Sequence, residues 1–261
     1  MKWLALEPLC LPISVHAQDR FCPNRPDLAT STCTTEPGRV LIEASGVDWE
    51  LDDTADARTD TIRIADLLIR TGIGPNTEVQ LSWTPYGQIR TRDKASGLVN
   101  TTRGVGDMRL GLRHNILGNN ADALSIALEP FATLPVGTGG LSDGDWGAGV
   151  LLPVSYPLAA DWTLGFTGEV AASADDDGDG RHLAYAGVVG LGRSLTEQVT
   201  AVAEIALRRE DDPLASRTEA LGAFSVAWQP RDRLQVDALL AAGLNHTTPD
   251  LRIQIGGAIL F

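Results

Sequence analysis

From Arg39 to the C-terminus, apolar and polar positions alternate with a period of two. Val79, Leu81 and Trp83 alternate with Glu78, Gln80, Ser82 and Thr84, and Met108, Leu110 and Leu112 alternate with Asp107, Arg109, Gly111 and Arg113. The same holds for Leu124, Ile126 and Leu128, for Trp162, Leu164 and Phe166, for Val199 to Leu207, for Phe224, Val226 and Trp228, and for Leu234 to Leu240. The last run is Leu251, Ile253, Ile255, Gly257, Ile259 and Phe261. Successive strand residues point to opposite faces, so each run has one apolar face and one polar or small-residue face.

This pattern predicts strands at 39–49, 61–71, 77–87, 104–116, 123–136, 147–157, 162–173, 182–194, 199–209, 218–229, 234–245 and 251–261. The second is the least regular, because Ile62 and Ile64 share a face with Asp66 and Arg70. Most run roughly 10 to 14 residues, where a tilted membrane strand needs about 9–11 and a strand of a soluble domain about half that length. The connections 72–76, 117–122, 158–161, 195–198 and 230–233 are short. Those at 50–60, 88–103, 137–146, 174–181 and 210–217 are longer and more polar. Short turns on one side and long loops on the other are the habit of a membrane barrel.

The fold class expected is therefore all-β: an up-and-down antiparallel transmembrane β-barrel of about twelve strands over 39–261, in the cell outer membrane. A soluble sandwich is the competitor, and the long, uniform strands count against it. So does the close on Phe261, since a terminal aromatic on an amphipathic last strand resembles the signal through which the barrel assembly machinery inserts outer-membrane proteins. Outer-membrane lipid is then the partner of the apolar face. No run reaches the ~18 apolar residues of a membrane helix, which leaves a barrel open because its spans are short and only half apolar.

Upstream of the barrel the pattern changes. Residues 1–17 read as a signal peptide: Lys2 gives the positive start, Trp3–Val15 is mostly apolar, and Val15-His16-Ala17 is a cleavage site. Glu7, Pro8 and Pro12 interrupt the apolar run, and a misassigned start codon is the alternative. Residues 18–38 lack alternation and carry Cys22, Cys33, Pro23, Pro26 and Pro37. They are expected to form an irregular periplasmic N-terminal segment, free to enter the lumen. Cys10 would leave with the signal, so Cys22 and Cys33 remain as an even pair in an oxidising compartment, and a disulfide between them is expected over two free thiols. A zinc site would need more ligands than these two.

The formal net charge of -13, with 21 scattered basic residues, excludes a nucleic-acid partner. Alternation assigns to the lumen Glu43, Asp66, Arg70, Glu78, Asp107, Arg109, Arg113, Glu129, Glu169, Glu204, Arg208, Glu219, Asp237 and Arg252, nine acids and five arginines. Facing lipid, each would cost up to ~2–4 kcal/mol at mid-depth. The set is either an ion-paired filling that stiffens a narrow barrel or an electrostatic filter preferring cations and neutral solutes.

Other candidate chemistry is thin. Asp175-Asp176-Asp177-Gly178-Asp179-Gly180 fits the first half of a calcium loop, but Ala186 stands where the bidentate Glu belongs, and an acidic solvated loop is the reading preferred. His114, His182 and His246 are too far apart in sequence to suggest a metal set. A barrel lipase would need a Ser/His pair, such as His182 or His246 with Ser216 or Ser225, and no G-x-S-x-G occurs. The sequons at Asn100 and Asn245 are coincidental in a bacterial exported protein. No catalytic residue, cofactor or resident metal is expected.

Several short elements carry a resemblance. Arg25-Pro26-Asp27, Thr30-Ser31, Pro37-Gly38-Arg39 and Glu43 resemble the start of the outer-membrane transporter family named for the meta pathway of phenol degradation. Leu68–Ile73 followed by Glu78 is similar to its R-Y-G-L/I…E element, Gly104–Asp107 to its G-x-G-D, and Leu134–Gly137 to its L-P-T-G, with Thr71 and Val136 as departures. The resemblance spans nearly all of the mature chain. It implies a barrel that carries small solutes, hydrophobic or aromatic ones included, across the outer membrane, and no catalytic residues. The alternatives are a non-conducting structural barrel and an outer-membrane lipid hydrolase.

Overall fold

A computed structural model describes residues 20–119, 123–159, 161–178 and 180–261. The signal peptide expected at 1–17 lies outside the described residues. The described chain forms fifteen strand segments: β1 Val40–Asp53, β2 Ala57–Ile64, β3 Asp66–Gly74, β4 Thr77–Trp83, β5 Tyr86–Asp93, β6 Val99–Gly104, β7 Met108–Leu117, β8 Ser125–Leu134, β9 Gly147–Ala159, β10 Trp162–Ala174, β11 Arg181–Thr196, β12 Val199–Glu210, β13 Arg217–Arg231, β14 Leu234–Gly243 and β15 Leu251–Leu260.

Six of the segments are halves of three interrupted strands. β2 pairs with the upper part of β1 and β3 with its lower part; β5 then continues β4, and β6 continues β7. Twelve antiparallel strands result, and β15 pairs back onto β1 from Leu41↔Leu260 to Leu51↔Leu251. Closure leaves no free edge at membrane depth, the requirement for a sheet in lipid.

The faces are inverted relative to a soluble protein. Val170, Ile205, Phe224 and Ile255 point outward with more than half of their surface exposed. Glu43, Asp48, Arg70, Glu78 and Arg113 are 0% exposed inside.

Two irregularities, a bulge and a left-handed residue, explain where strict alternation fails. The register slips between Ser45 and Val47, so Ser45 and Asp48 both face in, and the sequence pattern misses Asp48. Ala65 takes a left-handed φ of 55°, which separates the outward Ile62 and Ile64 from the inward Asp66 and Arg70. The irregularity of the second strand is thereby resolved.

The long loops expected at 50–60 and 88–103 are corrected. Both are mostly strand, with turns confined to 54–56 and 94–98. These ends carry Arg, Asp and Thr, tied by pairs such as Thr59–Thr91 and Arg58–Asp60. Polar pairs within and across strands hold a ladder that is largely exposed to water, so no regular apolar alternation marks it in the sequence.

Candidate functional site

Arg20–Pro37 lies inside the barrel, against the inward face at the end with the short turns. Its backbone forms no strand, so its N–H groups need other acceptors. The inward carboxylates supply them. Glu43 Oε2 accepts from the N–H groups of Asn24 and Arg25 (2.8 and 2.9 Å). Glu204 accepts from Leu28 and Ala29 (2.7 and 2.8 Å), and Glu78 from Thr35 (2.6 Å). Arg25 pairs with Asp237 at 2.9 Å, and Asp27 accepts from the Ser225 hydroxyl at 2.8 Å. Phe21 and Leu28 pack on small apolar patches of the wall, against Leu41 and Leu260 and against Ala223 and Leu239. Cys22 and Cys33 face each other with Cα atoms 6.5 Å apart and bonded sulfurs, which joins the two arms of the segment.

Two wholly buried arginines bind the segment to the wall. Arg70 donates to Glu78 (2.9 Å) and Glu43 (3.1 Å), and to the carbonyls of Cys22 (2.8 Å) and Cys33 (2.9 Å). Arg113 pairs with Glu129 at 2.7 Å and Glu78 at 3.3 Å and also reaches the Cys33 carbonyl. A Cβ on Gly72 would stand 2.3 Å from the carbonyl oxygens of Thr35 and Glu36, so only glycine lets the segment leave the lumen there. The Leu68–Ile73…Glu78 element is thus the cradle of the N-terminal segment.

The sequence-assigned charges divide by height. Glu43, Arg70, Glu78, Arg113, Glu129, Glu204 and Asp237 form the layer that holds the segment. Higher up, Arg109 lies over the Phe131 ring at 3.3 Å and 3.7 Å from Glu169, and Glu169 also meets Arg208 at 3.0 Å. Arg208 continues to Glu210, and Arg217 joins Glu210 to Glu219. Asp66 accepts from the Thr84 hydroxyl, and Arg252 pairs bidentately with Asp48 at 2.9 and 2.6 Å. Alternation misses the segment's own Arg25 and Asp27, which sit outside any strand. A cavity of about 280 Å³ above the segment is bordered by Gln80, Ser82, Arg109, Glu129, Thr167 and Glu169.

At the end opposite the N-terminal segment the 135–146 loop is tied to the wall. Asp107 accepts from the N–H groups of Gly137 (2.8 Å) and Asp143 (2.9 Å), tying both ends of the loop to one carboxylate. Cβ atoms on Gly104 or Gly139 would collide with Thr138 or Arg103 carbonyl oxygens near 2.1–2.2 Å. The Gly104–Asp107 and Leu134–Gly137 elements therefore meet in space. Burial, then the neighbouring Asp107 and Glu210, push the Asp143 carboxyl above the usual carboxylate range.

The weak motifs fall as follows. His182 Nδ1 meets Asp175 and Asp212, and Ser225 serves Asp27, so these two do not form a Ser/His pair. Asp175 Oδ1 engages His182, its Oδ2 lies against Gly180, and Asp179 lies outside the described residues.

Solved structures share this fold. An outer-membrane channel from Pseudomonas putida F1 superposes with a TM-score of 0.71 at 13% identity, covering 88% of this chain and 97% of that one. The NanC porin gives 0.53 at 11% identity, covering 84% and 98%. The transport unit of the autotransporter AIDA-I from Escherichia coli gives 0.56 at 8%, covering 96% and 93%. No curated protein matches the sequence. One family model spans residues 24–261, the N-terminal segment and the whole barrel together, and by that match the chain belongs to the family described as "Putative MetA-pathway of phenol degradation".

Proposed function

We propose that the protein is a passive outer-membrane channel for small solutes whose lumen is gated by its own N-terminal segment. The observation that carries this reading is the way the segment is held. A closed twelve-strand barrel has an interior just wide enough for side chains plus a little more. Here the extra width is taken up by Arg20–Pro37, bound mainly through hydrogen bonds and ion pairs rather than apolar packing. Water and polar solutes can replace such bonds, whereas a dry apolar filling would make a permanent wall.

Two structures with this fold support the reading, being described as an outer-membrane channel and a porin. The lining favours small polar solutes, including aromatic compounds that carry a polar group. A plain hydrocarbon would have to desolvate Arg109, Glu129 and Glu169 without replacing their hydrogen bonds. A non-conducting structural barrel is the reading to beat, because the segment satisfies so many of the inward charges.

Planar-bilayer conductance of the purified protein decides between them, run beside a variant lacking residues 20–37. The channel reading expects discrete conductance steps in the intact protein and larger ones after deletion. A folded deletion variant that is as silent as the parent would reject it.

A further inference from the structure

A second buried cluster of ionisable groups sits at the rim, near the 175–180 loop. Asp175 directly follows β10, His182 is the second residue of β11, and Asp212 sits in the β12–β13 loop, so three separate segments converge there. Each is buried, at 7%, 8% and 5% exposure, although the loops around them are largely open to water. His182 Nδ1 stands 3.0 Å from Asp175 Oδ1 and 3.4 Å from Asp212 Oδ2, and the three ligand atoms all fall within 4.8 Å.

One imidazole nitrogen faces two carboxylates, and it has at most one proton to offer. That proton serves the nearer oxygen, on Asp175, while Asp212 Oδ2 takes its hydrogen bond from the Asp176 N–H at 2.8 Å. The ring's second nitrogen, Nε2, is buried with no hydrogen-bond partner among the described residues, so the only polar engagement of this enclosed ring is with the two carboxylates. Asp212 is preset as an anion: the N–H groups of Asp176, Leu214 and Ala215 point at its carboxylate. Gly180 clears space for Asp175, since a Cβ there would lie 2.6 Å from Asp175 Oδ2.

The two distances from His182 Nδ1 match ligands that share an ion. Nitrogen and oxygen ligands each about 2.0–2.2 Å from a common metal are separated by roughly 3.0 Å at right angles and 3.4 Å at the tetrahedral angle. One imidazole and two carboxylates suit a first-row divalent metal; calcium and magnesium take oxygen ligands throughout.

We propose that Asp175, His182 and Asp212 form a divalent transition-metal site, with zinc as its natural occupant, that fastens the β10–β11 loop to the β12–β13 loop at the outer mouth. The site lies outside both the N-terminal segment and the cavity, so it stands or falls independently of channel activity.

The test uses the intact barrel in detergent, stripped with a chelator and titrated with Zn²⁺ by calorimetry. Folding is checked by the shift of the unheated band on a denaturing gel. One zinc per chain with a dissociation constant at or below about 10 μM is expected. His182→Gln and Asp212→Asn should each weaken binding at least tenfold, the loss typical when a metal site is disturbed. His246→Gln, at an exposed histidine, should leave it unchanged. X-ray absorption at the zinc edge of the unmutated protein should show one imidazole among oxygen ligands, which keeps the test open if a variant fails to fold. Absence of stoichiometric zinc uptake, uptake that survives both substitutions, or a zinc shell with two or more imidazoles would each overturn the assignment.

Discussion

Arg70→Met is the sharpest perturbation of the gate. The substitution keeps most of the side-chain bulk and removes four hydrogen bonds at once, to Glu78, Glu43 and the carbonyls of Cys22 and Cys33. Two of the four hold the N-terminal segment directly. The other two neutralise the carboxylates that receive the backbone N–H groups of Asn24, Arg25 and Thr35. Breaking a fully buried ion pair by removing one partner costs about 3–5 kcal/mol, because the remaining charges stay buried and unmatched. Arg113 remains 3.3 Å from Glu78, which places the expected cost toward the lower end. At 1.4 kcal/mol per decade, about 3 kcal/mol shifts the docked-to-released equilibrium of the segment by roughly a hundredfold. The assay is single-channel recording of parent and variant under identical salt, with thermal loss of the folded gel band as the stability readout. More frequent or larger openings, together with a lowered melting temperature, are expected. A variant that melts with the parent and opens no more often would show that Arg70 is not the clamp described here.

Four further outcomes follow from the same geometry. Asp143 has a raised carboxyl, so docking of the 135–146 loop gains stability that is complete below the ordinary carboxylate pKa and is lost as pH rises through the raised value; protease cleavage within this loop should quicken from pH 4 to neutrality, and Asp143→Asn should flatten that dependence. With nine acids against five arginines on the assigned inward positions, the conducting state should prefer cations over anions; a reversal potential across a salt gradient measures this, Glu169→Gln should weaken the preference, and anion selectivity in the parent would contradict it. Cys22 and Cys33 should resist thiol labelling in the denatured, non-reduced mature protein, and labelling of both would refute the bridge. Phe261, just past the end of β15, stands 58% exposed, and deleting it should reduce the amount of folded barrel in the outer membrane several-fold if the assembly machinery reads it.

The sequence by itself determined the barrel. A period of two sustained over long runs has one physical solution in lipid, a closed sheet with its apolar face outward, and all twelve strands were legible from it. The inward charges Glu43, Arg70, Glu78, Arg113, Glu129 and Glu204 were legible for the same reason. Alternation stopped being informative wherever a bulge shifted the count, which is why Asp48 was missed behind Gly46. It also failed where strands are largely exposed to water, which is why 50–60 and 88–103 read as loops. Tertiary structure alone decided what the charges do. That Glu43, Glu78 and Glu204 receive the backbone of Arg20–Pro37 depends on which groups an irregular segment presents, and no local pattern encodes that. That Asp107 ties Gly137 and Asp143, and that Asp175, His182 and Asp212 meet, depends on loops separated by 30 or more residues arriving at one rim. Periodicity fixes the direction in which a side chain points, and only closure of the barrel fixes what it meets there.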